Sequence, residues 1–85
     1  MVISAQVSLY PLGQADLLPG IQDVWEELEA AGLPQNPGTM STLVYGEDHT
    51  VLDALRVGFE RAAERGPAVM VITMTNACPL PPEEA

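Results

Sequence analysis

The chain has 85 residues, enough for one domain. Twelve aspartates and glutamates stand against three arginines and no lysine, giving a net charge of −9. That charge repels a phosphate backbone and anionic membrane surfaces, so nucleic-acid and membrane partners are excluded. No apolar run approaches the roughly 20 residues that span a bilayer.

A chain this short buries only about 60–65% of its unfolded surface, so stability leans on partners, crosslinks or metal. Cys78 is the sole cysteine, which rules out an internal disulfide. One Cys and one His far apart give no zinc spacing, so neither metal nor cofactor is expected. A single thiol, with an N-terminus that enters strand pattern at once and carries no basic leader, fits a reducing cytoplasm. The acid excess attracts a cationic small molecule or simply confers solubility.

From Ile3 to Tyr10 the residues alternate with period two, the pattern of a strand with one apolar face. Ile3, Ala5, Val7 and Leu9 point one way. Ser4, Gln6, Ser8 and Tyr10 point the other, making a polar but uncharged face that meets a ligand, another subunit or plain water. Pro11 and Gly13 end the strand. Asp16 is placed to cap a helix, with Pro19 in its first turn. Leu17, Ile21, Val24, Leu28 and Ala31 form its apolar stripe, widened by Leu18 and Trp25. Asp23, Glu26, Glu27 and Glu29 fall on the wet side. Gly32 suits the position just past the helix end, Leu33 the accompanying apolar contact, and Pro34 blocks continuation.

Leu33 to Pro37 holds two prolines and is at most an edge strand. After the Asn36-Pro37-Gly38 turn, Thr39 to Gly46 reads as a third strand, its inward face undecided between Met40, Thr42, Val44 and Ser41, Leu43, Tyr45. Asp48 is placed to cap a second helix that ends at Gly66-Pro67. Its stripe is Val51 or Leu52, Leu55, Phe59 and Ala62, with Arg56, Glu60, Arg61, Glu64 and Arg65 outside. Gly58 in mid-helix costs about 1 kcal/mol against Ala, so it marks a close approach to another element. Ala68 to Thr75 is the last strand, apolar on both faces up to Ile72. Residues 1–79 then form a single domain, and 80–85 an acidic, proline-rich tail.

The order βαββαβ predicts an α+β, ferredoxin-like domain. Its four-stranded antiparallel sheet has the order 4-1-3-2, with both helices on one face. The opposite face and the outer edge of the fourth strand stay uncovered, which favours a homodimer or homotetramer joined through either; a tail folded over the edge would leave a monomer.

Three polar clusters carry possible chemistry. Gln6, Ser8 and Tyr10 with Ser41 or Tyr45 can fix a neutral heterocycle by hydrogen bonds, or pack between subunits. Gly46-Glu47-Asp48-His49 can meet a cation, or serve only as an acidic helix start. Thr73, Thr75, Asn76 and Cys78 close the last strand. A His49–Cys78 dyad is the one catalytic pairing on offer, and a glycine-rich phosphate loop is absent.

Three stretches together resemble a known family: Ile3–Gly13 (ISAQVSLYPLG), Gly38–Glu47 (GTMSTLVYGE) and Val71–Cys78 (VITMTNAC). The chain is similar, from residue 2 to about 79, to small thiamine-binding proteins, the single-domain relatives of the YkoF hydroxymethylpyrimidine/thiamine-binding protein. The resemblance implies a ferredoxin-like fold, homo-oligomers joined through their sheets, and non-enzymatic binding of thiamine or its hydroxymethylpyrimidine precursor. Motif position and side-chain chemistry then select Gln6, Ser8, Tyr10, Ser41, Tyr45, Glu47 and Asn76 as ligand-binding candidates. An oligomeric structural or regulatory protein without a small ligand is the alternative.

Overall fold

Alternation along Val2–Pro11 produces β1, the longest strand, with Ile3, Ala5 and Val7 almost fully buried. The computed structural model describes residues 1–38 and 41–77. After β1 come α1 (Leu18–Ala30), β2 (Gln35–Pro37), β3 (Thr42–Glu47), α2 (Asp48–Ala63) and β4 (Ala68–Thr75). All pairings are antiparallel and the sheet order is β2-β3-β1-β4, the predicted ferredoxin-like arrangement. Central strands are β1 and β3, and the short, proline-bearing β2 is an edge.

Register settles which side of β3 looks inward. Ala5 lies opposite Val44 and Val7 opposite Thr42, so Thr42 and Val44 share the buried face. Leu43 and Tyr45 join Ser4 and Gln6 on the other. Both helices cover the first face: Val24 and Leu28 of α1 and Val51, Ala54 and Leu55 of α2 form one core with Ile3, Ala5, Val7 and Val44. Fully burying side chains such as Leu28, Leu55, Val44 and Val51 stabilises the fold by about 1.5–3 kcal/mol each.

The end of α1 is built as its sequence requires. Gly32 has φ +73°, the left-handed conformation that glycine adopts without strain. Its N–H donates to the Glu29 carbonyl at 2.9 Å, and the Leu33 N–H to the Leu28 carbonyl at 3.1 Å. Those two bonds, with Leu28 and Leu33 both in the core, make a Schellman cap. Leu33 therefore belongs to the cap, and β2 begins two residues later than predicted.

Several local expectations are corrected. The Asp16 carboxylate does accept a backbone bond, from the Leu18 N–H at 3.1 Å, but Leu17 occupies the N-cap position. Asp48 is the first residue of α2 and Glu47 its N-cap, because the Asp48 N–H bonds to the Met1 carbonyl instead of opening a turn. In α2, Ala54 and Gly58 are buried, whereas Leu52 is exposed and Phe59 half-buried.

The largest correction concerns Asp23, read as solvent-facing and found buried. The helices lie so close that a Cβ on Gly58 would stand 3.0 Å from Val24 Cα. Their flanks meet, and Asp23 falls beneath two arginines. Arg65 holds its carboxylate through Nε (2.7 Å) and Nη2 (3.1 Å), and Arg61 Nη2 adds a third bond at 3.0 Å. Arg61 also bonds Glu26 and Glu27, both at 2.9 Å. Hydrogen bonding to Arg65, above all, holds the Asp23 carboxyl below the usual carboxylate range despite its burial.

β4 is the least covered strand. Val69 and Val71 on the open face and Met74 on the helix side are each nearly half exposed. Its outer edge pairs with no strand among the described residues. Thr39, Met40, Cys78 and the predicted tail lie outside those residues.

Candidate functional site

Two surfaces divide the seven candidates. The first is a cavity of about 200 Å³ between the start of α1 and the ends of β1 and β3. Aliphatic walls come from Val7, Leu9, Leu18 and Ile21; Trp25, Ser41 and Thr42 are its polar-bearing residues, and Ser8 borders it on β1. Drug-sized pockets run roughly 300–1,000 Å³, so this one suits a single ring.

The sequence builds this cavity locally. The Gly38 N–H donates to the Ser41 carbonyl at 2.7 Å, drawing the segment before β3 back over the sheet. Trp25, on the flank of the α1 stripe, reaches down to the sheet, and its Nε1 donates to Thr42 Oγ1 at 2.9 Å. Gln35 of β2 donates through Nε2 to the Trp25 carbonyl at 3.1 Å, bracing α1 from the far side. A hydroxyl that accepts one bond still has its own proton to give, so Thr42 can donate to a ring nitrogen while its oxygen holds the indole. Tryptophan, hydroxyls and aliphatic walls together can grip a flat, polar-edged heterocycle.

The second surface is the open face of the sheet. Gln6 lies between Leu43 of β3 and Thr73 of β4, Tyr10 opposite Val69, and Tyr45 opposite Ser4. Interleaved with them are the exposed side chains of Val2, Leu43, Val69 and Val71. Glu47 stands at one end of this face, where its carboxylate meets the Met1 ammonium at 2.9 Å. The ammonium is 3.4 Å from Asp48. The contact with Glu47 raises the ammonium's pKa, and the contact with the ammonium lowers that of Asp48. Asn76, just beyond β4, directs Nδ2 at Met1 Sδ at 3.6 Å.

Of the seven candidates, Ser41 lies at the cavity; Ser8 borders it, but strand alternation turns its side chain to the open face with Gln6, Tyr10, Tyr45 and Glu47, and Asn76 stands at that face's corner. Glu47, Asp48 and His49 place one possible metal-ligand atom each within 4.8 Å of one another. All three sit at the opposite end of β3 from the cavity, and His49 is exposed. The His49–Cys78 pairing falls outside the described residues.

Sequence reasoning passed over Trp25 and Thr42. Each had a signal. Thr42 is a hydroxyl on the strand face it shares with Val44, and Trp25 is the only tryptophan, set where the apolar stripe is widest.

Comparison with known proteins is consistent with this architecture. The sequence profile of the YKOF-related family matches residues 2–80. No curated protein sequence matches. Among solved structures, a protein from Streptococcus pneumoniae superposes with TM-score 0.84 at 19% identity, covering 99% of this chain and 96% of its own. A hypothetical protein from Methanocaldococcus jannascii gives 0.83 at 19% identity, covering 88% and 79%. A candidate thiamine biosynthesis/salvage protein from Thermotoga maritima gives 0.81 at 17% identity, covering 99% and 94%. At these identities the structural likeness is one of fold.

Proposed function

The chain belongs to the YKOF-related family, and on that footing we propose that it binds thiamine or its hydroxymethylpyrimidine precursor without turning it over. The pyrimidine ring enters the cavity beneath α1. The observation that carries this reading is the Trp25–Thr42 pair: an indole and a buried hydroxyl, bonded to each other and both lining a cavity the size of one ring. Thr42 and Ser41 offer hydroxyls to the ring nitrogens and exocyclic amine, and Trp25 and the aliphatic wall cover its faces. The thiazolium of thiamine, a fixed cation, suits a chain of net charge −9. The structural neighbour linked by name to thiamine biosynthesis or salvage is in keeping with this ligand.

Gln6, Tyr10 and Tyr45 are assigned to contact with a second copy of the chain, for which the exposed valines around them supply an apolar reason. The protein then works as a homo-oligomer, and its lone thiol fits the cytoplasm. Residues 1–79 act as one binding domain.

Calorimetry with hydroxymethylpyrimidine and thiamine tests the assignment. Binding to the unmodified protein, weakened at least about tenfold by Thr42→Val or Ser41→Ala and unchanged by Gln6→Ala, supports it. Heats unaffected by Thr42→Val and Ser41→Ala but abolished by Gln6→Ala would move the ligand to the open face. No heat from either compound would leave the oligomeric structural protein as the function.

A further inference from the structure

We propose that the cavity selects the unphosphorylated ligand and rejects its phosphate ester. The inference rests on the binding reading above and narrows it to one chemical class, the free pyrimidine alcohol or thiamine itself. A phosphate entering a protein needs cations or unclaimed amides to replace its water. Among the described residues no cation lines the cavity, and the Leu18 and Gly38 amides beside it are already bonded.

Its three arginines and absence of lysine make the accounting short. Arg56 and Arg61 are on α2, and Arg65 lies just past its end. Arg56 pairs with Glu60 at 3.2 Å. Arg61 is spread over Asp23, Glu26 and Glu27, and Arg65 is committed to Asp23. None lines the cavity, where every side chain among the described residues is neutral. A second copy would bring only the same three.

The first turn of α1 is the other place to seek anion affinity, since Leu18 and Ile21 line the cavity. Helix N-termini attract phosphate through free N–H groups and the helix dipole. Here the Leu18 N–H already donates to the Asp16 carboxylate at 3.1 Å, and Pro19 has no N–H to offer. Asp16 thus answers the dipole with its own negative charge and would stand against an incoming phosphate. At the turn before β3, the Gly38 N–H is likewise engaged, by the Ser41 carbonyl.

Calorimetry on the full chain compares hydroxymethylpyrimidine with its monophosphate in metal-free buffer at two salt concentrations. The ester should bind at least about tenfold more weakly, and the gap should narrow as salt screens the repulsion. Leu18→Arg, which sets a guanidinium at the rim, should raise the ratio of ester to alcohol affinity several-fold. Equal or tighter binding of the ester overturns this inference and leaves the binding reading intact. A ratio that Leu18→Arg does not move also counts against it. Absence of heat from both compounds overturns both readings.

Discussion

A Cβ on Gly58 would lie 3.0 Å from the Cα of Val24, so α1 and α2 approach each other as closely as a missing side chain allows. The obstacle is backbone and cannot swing aside. Alanine gains about 1 kcal/mol of helix propensity over glycine, yet overpacking of this kind costs about 1–3 kcal/mol and also strains the Asp23 ion pairs. Gly58→Ala is expected to lower the urea midpoint. A raised midpoint would mean that the helices part without cost.

Those ion pairs give stability a defined acid response. The Asp23 carboxyl titrates below its value in the unfolded chain, mainly because Arg65 bonds its charged form. The unfolded state therefore binds more protons as pH falls, and stability must rise with pH across that window. The contribution is complete above about pH 4, the ordinary aspartate range, and is lost as pH drops through the lowered folded value. Removing one partner of a fully buried pair costs about 3–5 kcal/mol. Arg61 and Arg65 keep side-chain exposures of 36% and 45%, so water offsets part of that loss. Asp23→Asn should cost about 1–3 kcal/mol at pH 7, with the difference from the unmodified protein shrinking below pH 4. Urea denaturation at four pH values measures both. A constant difference would show that Asp23 acts through packing alone.

Trp25 is a built-in reporter, since the chain has no other tryptophan. Its indole N–H is tied to Thr42 and its ring borders the cavity. Hydroxymethylpyrimidine entering there should quench or shift its fluorescence in a saturable way. Thr42→Val leaves the indole N–H without its acceptor and should cost about 1–2 kcal/mol of stability. It should also weaken the fluorescence titration. A signal that saturates identically in Thr42→Val would place the ligand away from this pair.

The sheet was legible because its signals are local. Alternation in β1, proline in β2 and Gly32 with Leu33 at the end of α1 each act within a few residues, and the βαββαβ order followed. What stayed hidden depends on which flank meets which. Asp23 looks solvent-facing on a helical wheel and becomes buried only because Gly58 draws α2 beside α1. The cavity arises the same way: Thr42 and Trp25 are 17 positions apart, and nothing near either one announces the bond between them. Hydroxyls on β1 marked a polar face correctly and pointed the expected ligand there, whereas the cavity lies on the reverse side of the sheet, which alternation along one strand cannot reveal.

Assembly provides the last prediction. On the open face Val71 is 49% exposed, beside Val69 at 46% and across from Ser8 on β1. Val2, Leu43 and Tyr10 share this face, so its exposed apolar groups run over β1, β3 and β4. A net charge of −9 opposes association of identical chains, so contact must come from apolar burial. Stable dimers typically bury about 800 Å² per partner, with charged groups kept from the centre. Val71→Glu would set a carboxylate on that face, and in an assembly of identical copies each would face a partner carrying the same charge. Sedimentation velocity should show the unmodified protein as a dimer or tetramer and Val71→Glu as a monomer. Leu52→Glu, on the exposed flank of α2, should leave the assembly intact. An unmodified protein that sediments as a monomer would return the open face to solvent or to a ligand.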